Sequence, residues 1–510
     1  MSKVESLVAL VQSMTKAEKR QFSISCPKGD LLKDFLVIYK IIENDKKFVT
    51  EEIKSAFFLK RPQGSFDTAM TYLYEKLLDL LLYSYKNRDS FFDLFHGILK
   101  AKMLYERSMF NESMALLTEI IAEAKRKENY HALLLASKLE LDYLLRLNYL
   151  NISEQELFHK QYAIGNSLKL IRIINEESSL YELLKHRLIH KGNIRSAKQK
   201  QEMNDLLISE LSIVASSNDT NFEITKMHQL FQANYLISIG DYNAAFQSFK
   251  ELNTLFESNA HLWANPPFYY LSTIEGVLES LRSIGNYKDM EYFRVKLRNF
   301  TEHASLDFRI DVLCLLFQYE LFPLLDNGDF NDCTMLMKRY KEILYDRHSY
   351  LRPIRQTELC LYTALIYLSN KQFKQARKFI NSITFDHSLG DMPLSRTIRL
   401  VRLMLYYEEG DFDIIRHETR SFKRKTLQNN KQGFQVERQI LWLINQDSLP
   451  VLQQTRNKLW SKMKPDIDAL RHDKYECQVL RLFDFTAWME AKILKKDLSV
   501  VLKKKLSYAT

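Results

Sequence analysis

Glycine and proline are scarce in this chain, with 12 Gly and 9 Pro among 510 residues, about a third of ordinary usage for each. Turn chemistry is therefore thin and long helices must dominate, which excludes a β-rich or Rossmann-type chain, since either needs more glycine. No two glycines lie closer than nine residues, the nearest being Gly276 and Gly285. That spacing excludes the phosphate loops GxGxxG and GxxxxGK and the nucleophile elbow GxSxG. Cysteine is also sparse: Cys26, Cys314, Cys333, Cys360 and Cys477 are odd in number, scattered and without a CxxC pair, as expected of reduced thiols in a cytosolic protein. Long apolar runs are missing. The richest, Leu77 to Leu82, is interrupted by Asp79 and falls far short of the roughly 18 residues of a membrane span. The N-terminal stretch carries Glu5 and no small-residue cleavage site, so it does not read as a secretory signal. These absences predict a cytoplasmic, all-α protein with no membrane partner, no cofactor and no catalytic activity.

Enough apolar sequence is present to build a large core: 46% of residues are hydrophobic and 27% charged. The length exceeds the roughly 100 to 200 residues of one globular domain, which leaves several domains or one extended array. The net charge of +10 is uneven. Residues 411 to 510 hold about 20 Lys and Arg against about 12 Asp and Glu, roughly +8 of it.

Self-similarity decides between domains and array. A turn followed by a helix start recurs at Ser238-Ile239-Gly240-Asp241-Tyr242, at Ser283-Ile284-Gly285-Asn286-Tyr287, at Asn327-Gly328-Asp329-Phe330, at Asn370-Lys371-Gln372-Phe373 and at Glu409-Gly410-Asp411-Phe412, with weaker forms at Ser108-Met109-Phe110 and Gly192-Asn193-Ile194. The anchors 192, 240, 285, 328, 371 and 410 are 39 to 48 residues apart, one helical hairpin per period of about 43. Gly supplies the left-handed residue that ends one helix, Asp or Asn caps the next, and the following aromatic packs back onto the hairpin. Residues twelve apart across each turn should face each other. In three hairpins both are small, Ala101 with Ser113, Ala233 with Ala245 and Ala364 with Ala376, so the helices can approach closely.

The small residue in the first helix, the Gly-Asp-Tyr turn, Ala245 three residues after Tyr242 and Phe249 four further on resemble the tetratricopeptide repeat. The match is close over residues 226 to 252 and partial at 101 to 120, 278 to 297 and 364 to 383. The resemblance implies a right-handed α-α superhelix, a solenoid whose first helices line a concave, protein-binding surface. The period is longer than that family's roughly 34 residues and its Trp and terminal Pro are missing. HEAT-type repeats share the longer period, and the turn chemistry favours the tetratricopeptide reading.

Three regions follow: an N-terminal helical cap over 1–90, the repeat array over 91–430, and a basic helical cap over 431–510. In the first, Thr15 with Glu18 reads as a capping box. A helix-turn-helix reading of the segments around the loop 59–64 is disfavoured, because the loop is long and Glu75 and Asp79 stand where phosphates would lie. Within the array, 259–267 and 387–393 read as exposed insertions. By the resemblance, the groove should be lined by exposed residues of the first helices: Lys102, Tyr105, His186, Asn234, Glu275, Glu279, Arg282, Gln318 and Tyr407. Their mixed charge predicts a protein or peptide partner of mixed polar and apolar character. A rival expectation is a nucleic-acid-linked regulator using the N-terminal helices or the basic patch Arg420, Lys423, Arg424, Lys425, Lys503, Lys504 and Lys505. No metal site is expected. The one long shot is Glu182, His186 and His190, stacked along one helix face, where Arg187 opposes a cation.

Overall fold

Leu, Ile and aromatic residues at helical spacing, with few breakers between them, produce a chain whose regular structure is helical throughout the described residues, without a strand among them. The computed structural model describes residues 3–26, 33–44, 50–85, 89–150, 152–192, 194, 197–216, 221–302, 305–346, 348, 351–383, 393–429, 435–446, 449–473, 476–480 and 482–506. The chain divides into two compact units, Met1–Lys169 and Leu170–Thr510. Among the described residues no helix is long and apolar enough to cross a membrane.

In the first unit, α1 (Lys3–Ser13), α2 (Lys16–Ser25), α3 (Asp34–Asn44), α4 (Thr50–Lys60) and α5 (Phe66–Tyr85) enclose one core that includes Leu7, Phe22, Ile38, Phe57, Leu73 and Leu77. The predicted capping box opens α2: Thr15 Oγ1 accepts from the Glu18 amide at 3.2 Å, and the Thr15 amide donates to Glu18 at 2.8 Å. A separate core lies between α6 (Ser90–Glu106), α7 (Phe110–Arg126) and α8 (Tyr130–Arg146), around Leu94, Ala101, Leu117 and Ala136. Here the small-residue rule is explicit. Ser113 Oγ on α7 donates to the Ala101 carbonyl of α6 at 2.7 Å, so positions twelve apart do meet across the pair.

Helix α9 (Glu154–Lys191) contains the division between the units. The second unit continues with α10 (Ala197–Glu202), α11 (Asn204–Ser216), α12 (Phe222–Ser238), α13 (Tyr242–Ser258), α14 (Phe268–Ser283), α15 (Met290–Phe300), α16 (Leu306–Asn327), α17 (Phe330–Arg339), α18 (Pro353–Ser369), α19 (Phe373–Ser382), α20 (Pro393–Glu409) and α21 (Phe412–Asn429). Each helix from α13 to α21 packs on its predecessor, and α12, α14, α16, α18 and α20 also touch in succession. That is the contact pattern of a helical repeat array.

The turns are built as their residues require. Gly192, Gly240, Gly285, Gly328 and Gly410 all sit at φ between +76° and +79°, where a side chain would be strained. At the predicted turn Asn370-Lys371-Gln372-Phe373, Lys371 takes φ +61° and completes the same pair of helix-ending hydrogen bonds, Lys371 to Leu368 at 3.0 Å and Gln372 to Tyr367 at 2.8 Å. Asp241 caps α13 through the Ala244 amide at 3.1 Å. The aromatics after the turn divide: Tyr242 and Phe330 are buried, whereas Phe412 is exposed. In the first insertion Ala260–Leu262 forms a short 3₁₀ turn, and the Trp263 indole donates to the Phe256 carbonyl at 2.7 Å, holding the loop to α13. Most of the second insertion, 387–393, lies outside the described residues.

The chain ends with α22 (Gln435–Ile444), α23 (Gln453–His472), α24 (Cys477–Leu480), α25 (Phe485–Leu494) and α26 (Leu498–Leu506). Helix α22 packs on α20, and α25 joins α22 to α23. The fully buried Trp488 donates its indole N–H to Glu408 of α20 at 2.8 Å. Helix α26 then reaches back to α16, where Ser499 Oγ donates to the Gly328 carbonyl at 2.7 Å. The C-terminal segment therefore covers the last hairpin and also anchors on an earlier turn, two hairpins upstream.

Candidate functional site

The residues expected to line a groove fall into two groups. On α6, Lys102 is exposed and Tyr105 lies flat against Tyr143 of α8, ring centroids 3.6 Å apart. On α9, Glu182, His186 and His190 are exposed, and the two imidazoles lie 4.4 Å apart. In the array proper the expected side chains are largely committed to one another. Asn234 is buried rather than exposed: its amide donates to the Leu230 carbonyl at 2.8 Å and accepts from Lys185 at 3.2 Å. Gln318 is also buried and donates to Glu358 at 2.9 Å. Arg355 of α18 bridges Glu358 and Glu275 of α14, each at 2.9 Å. Arg282 forks onto Asp326 with two bonds of 3.1 Å and lies over the Phe322 ring at 3.5 Å. Glu279 is half-buried, and Tyr407 packs edge-on against Trp488. The first helices of this unit are thus tied by a polar ladder.

The basic residues are similarly occupied where they are described. Lys503 pairs with Asp329 at 2.8 Å, and Lys505 with Asp484 at 3.3 Å. Lys504 is exposed and also has an interaction partner. Arg420 is exposed. The side chains of Lys423, Arg424 and Lys425 lie outside the described residues.

One constellation was not anticipated. Glu177 of α9, Glu210 of α11 and His228 of α12 each offer a ligand atom, and the three atoms lie within 4.8 Å of one another. Among the described residues this is the one grouping of three or more His, Cys, Asp or Glu side chains so arranged. Glu177 is 1% exposed and Glu210 is fully buried. His228 Nδ1 meets Glu210 Oε1 in a very short ion pair, and Gln232 one turn along α12 donates to Glu210 Oε2 at 2.9 Å. Glu177 Oε2 has no hydrogen-bond partner, an arrangement that costs at least about 1–3 kcal/mol for a buried polar atom. Burial, and after it the Glu210 charge, pushes the Glu177 carboxyl up to about 7. The hydrogen bond with Glu210 outweighs burial and raises the His228 imidazole above its ordinary value.

Spacing could not have revealed this group, because each member comes from a different helix. The expected long shot on α9 lies just beyond Glu177 on the same helix but points to exposed surface. Cys314, Cys333 and Cys360 are buried, and burial pushes the first two up to about 12 and raises the third, which disfavours the reactive thiolate; Cys26 is half-buried. Comparisons of the chain with protein-family models, with curated proteins and with solved structures found no match.

Proposed function

We propose that this chain is a non-catalytic scaffold of tetratricopeptide-like hairpins that binds a peptide or partner helix through a first-helix face of its array. The observation that supports this reading is an apolar stripe on α6. Phe91, Phe95, Leu99 and Met103 recur every fourth residue, and Phe91, Leu99 and Met103 are 52%, 65% and 48% exposed. Residues spaced by four share one helix face, so this is a continuous apolar seam rather than scattered surface. A seam of that kind is complementary to the apolar face of an amphipathic helix. Lys102 and Glu106 beside it supply an ion pair of 3.9 Å at its edge, which matches a partner of mixed character. The ladder on α14, α16 and α18 has its charges satisfied internally, which favours α6 over those helices as the docking face.

The test is an affinity capture with full-length protein from its native lysate, with and without nuclease, read by mass spectrometry beside a Leu99→Glu/Met103→Glu variant. Both positions are exposed, so the variant should keep its helical circular dichroism. A near-stoichiometric, nuclease-resistant partner that the variant loses is the expected result. A catch that vanishes with nuclease would transfer the function to the nucleic-acid reading and the basic C-terminal end. A partner retained by the variant would remove α6 as the docking face.

A further inference from the structure

We propose that Glu177, Glu210 and His228 form a binding site for a divalent first-row transition-metal ion, held by one oxygen of each carboxylate and by Nδ1 of the imidazole. Three observations carry the assignment. The donor set is convergent, with all three ligand atoms within 4.8 Å of one another from three separate helices. Glu177 is nine-tenths buried and more, and its Oε2 has no hydrogen-bond partner. Glu210 is already oriented by its own outer partner, Gln232 Nε2 at 2.9 Å, the kind of contact that fixes a metal-binding carboxylate.

Metal–ligand bonds of about 2.0–2.2 Å let one ion span donors roughly 4 Å apart. Seating an ion requires the short His228–Glu210 contact to open and the Glu177 side chain, whose Oε2 no hydrogen bond holds, to turn toward it. The ion would occupy the position now bridged by the short His228–Glu210 contact and would give the second carboxylate its missing partner. Two negative oxygens balance a divalent charge in a buried setting, and the partly exposed imidazole of His228, at 32% of its side chain, marks the entry side. The nitrogen donor and the small number of oxygens suit Zn²⁺ or Mn²⁺, whereas Ca²⁺ requires six to eight oxygen ligands. Bound metal would tie α9, α11 and α12 together at the start of the second unit.

The experiment uses full-length protein stripped with chelator and titrated calorimetrically with Zn²⁺, Mn²⁺ and Ca²⁺. Because the exposed His186–His190 pair could itself take up Zn²⁺, the reference is the His186→Ala/His190→Ala variant. Expected there is one equivalent of Zn²⁺, with Mn²⁺ weaker and Ca²⁺ weaker still. Glu177→Gln in that background keeps the side-chain volume and removes a buried negative charge, so it should fold, and it should weaken Zn²⁺ by at least the roughly 100-fold upper range of an outer-partner change. His228→Gln, at a half-buried position, is the second variant and should do the same. Gln232→Ala should weaken Zn²⁺ by roughly 10- to 100-fold. The proposal is overturned if the reference variant binds no Zn²⁺, if Ca²⁺ binds as tightly as Zn²⁺, or if neither ligand substitution weakens a stoichiometric site.

Discussion

Adding one methyl group at Gly276 separates helix propensity from packing. Gly276 lies inside α14 with a buried environment, and α14 packs on α13. Taken alone, Gly→Ala within a helix should stabilise by about 1 kcal/mol. A Cβ at 276, however, would lie 2.6 Å from Cε2 of Phe249 and closer still to Cζ and Cε1. The obstacle is a ring only 1% exposed, so it cannot swing into solvent as a flexible side chain would. Overpacking of this kind costs typically 1–3 kcal/mol, and the depth of overlap argues for about 3. The net expectation is a loss of about 2 kcal/mol, equivalent to roughly 30-fold more frequent local opening. Hydrogen exchange of peptides from α13 and α14 reads that loss in the full-length protein. In a Phe249→Leu background the ring is gone, and Gly276→Ala should then stabilise by about 1 kcal/mol, a coupling of about 3 kcal/mol across the cycle. Slower exchange in Gly276→Ala with Phe249 in place would refute the packing argument.

The turn glycines should divide by what surrounds them. Gly328→Ala should combine about 1–2 kcal/mol of left-handed strain with a contact of 2.9 Å to Ser499 Cα, freeing α26 in hydrogen exchange, whereas Gly285→Ala and Gly410→Ala meet nothing within 4 Å and should show the backbone cost alone. Ser113→Ala should lose only its bond to Ala101, about 1 kcal/mol, because an Ala pair serves at 233 and 245. Ala245→Leu, at a fully buried position, should cost about 1–3 kcal/mol, and thermal melts compare the two. The Glu275–Arg355 pair should make stability depend on acid. Burial opposes the Glu275 charge, but Arg355, with Lys185 and Arg352 beyond it, holds the carboxyl below its ordinary value. A depressed carboxyl stabilises fully above the unfolded pKa of about 4.3 and loses that contribution as pH falls through the lower folded value. Arg355→Ala should therefore lower the urea midpoint at neutral pH by more than it does near pH 3, and an equal effect at both would remove the linkage.

Much of the fold was legible because the chain has so few ways to turn. With glycine scarce, the Gly-Asp and Gly-Asn pairs that recur at the hairpin period stood out, and the left-handed φ of Gly240, Gly285, Gly328 and Gly410 is the physical content of that signal. Lys371 shows its limit. It occupies the same conformation without being glycine, and was readable only because its neighbours kept the register. The small-residue pairs were legible for a different reason: closeness of two helices leaves no room for volume at the crossing, and the Ser113–Ala101 bond is that closeness measured. The return of α26 to the turn at Gly328 was not legible, since a lysine-rich helix carries no mark of which acidic turn it will meet.

The groove positions show why exposure is harder to read than secondary structure. The tetratricopeptide resemblance places Asn234, Gln318 and Arg282 on an exposed groove, where polar residues usually lie. In an array whose first helices touch in succession, however, a polar side chain on the face between two of them meets the next helix before it meets water. Arg282 finds Asp326 on α16, and Gln318 finds Glu358 on α18. Such pairing is a property of neighbours that sequence separation hides, and the buried trio of Glu177, Glu210 and His228 is its extreme case. The same geometry that removes three expected contacts from solvent gathers three acid and imidazole groups around one point. The informative residues in this chain are therefore its buried polar groups: those that have found partners stabilise the array, and Glu177, whose buried Oε2 has no hydrogen-bond partner, is the member of the trio on which the proposed ligand rests.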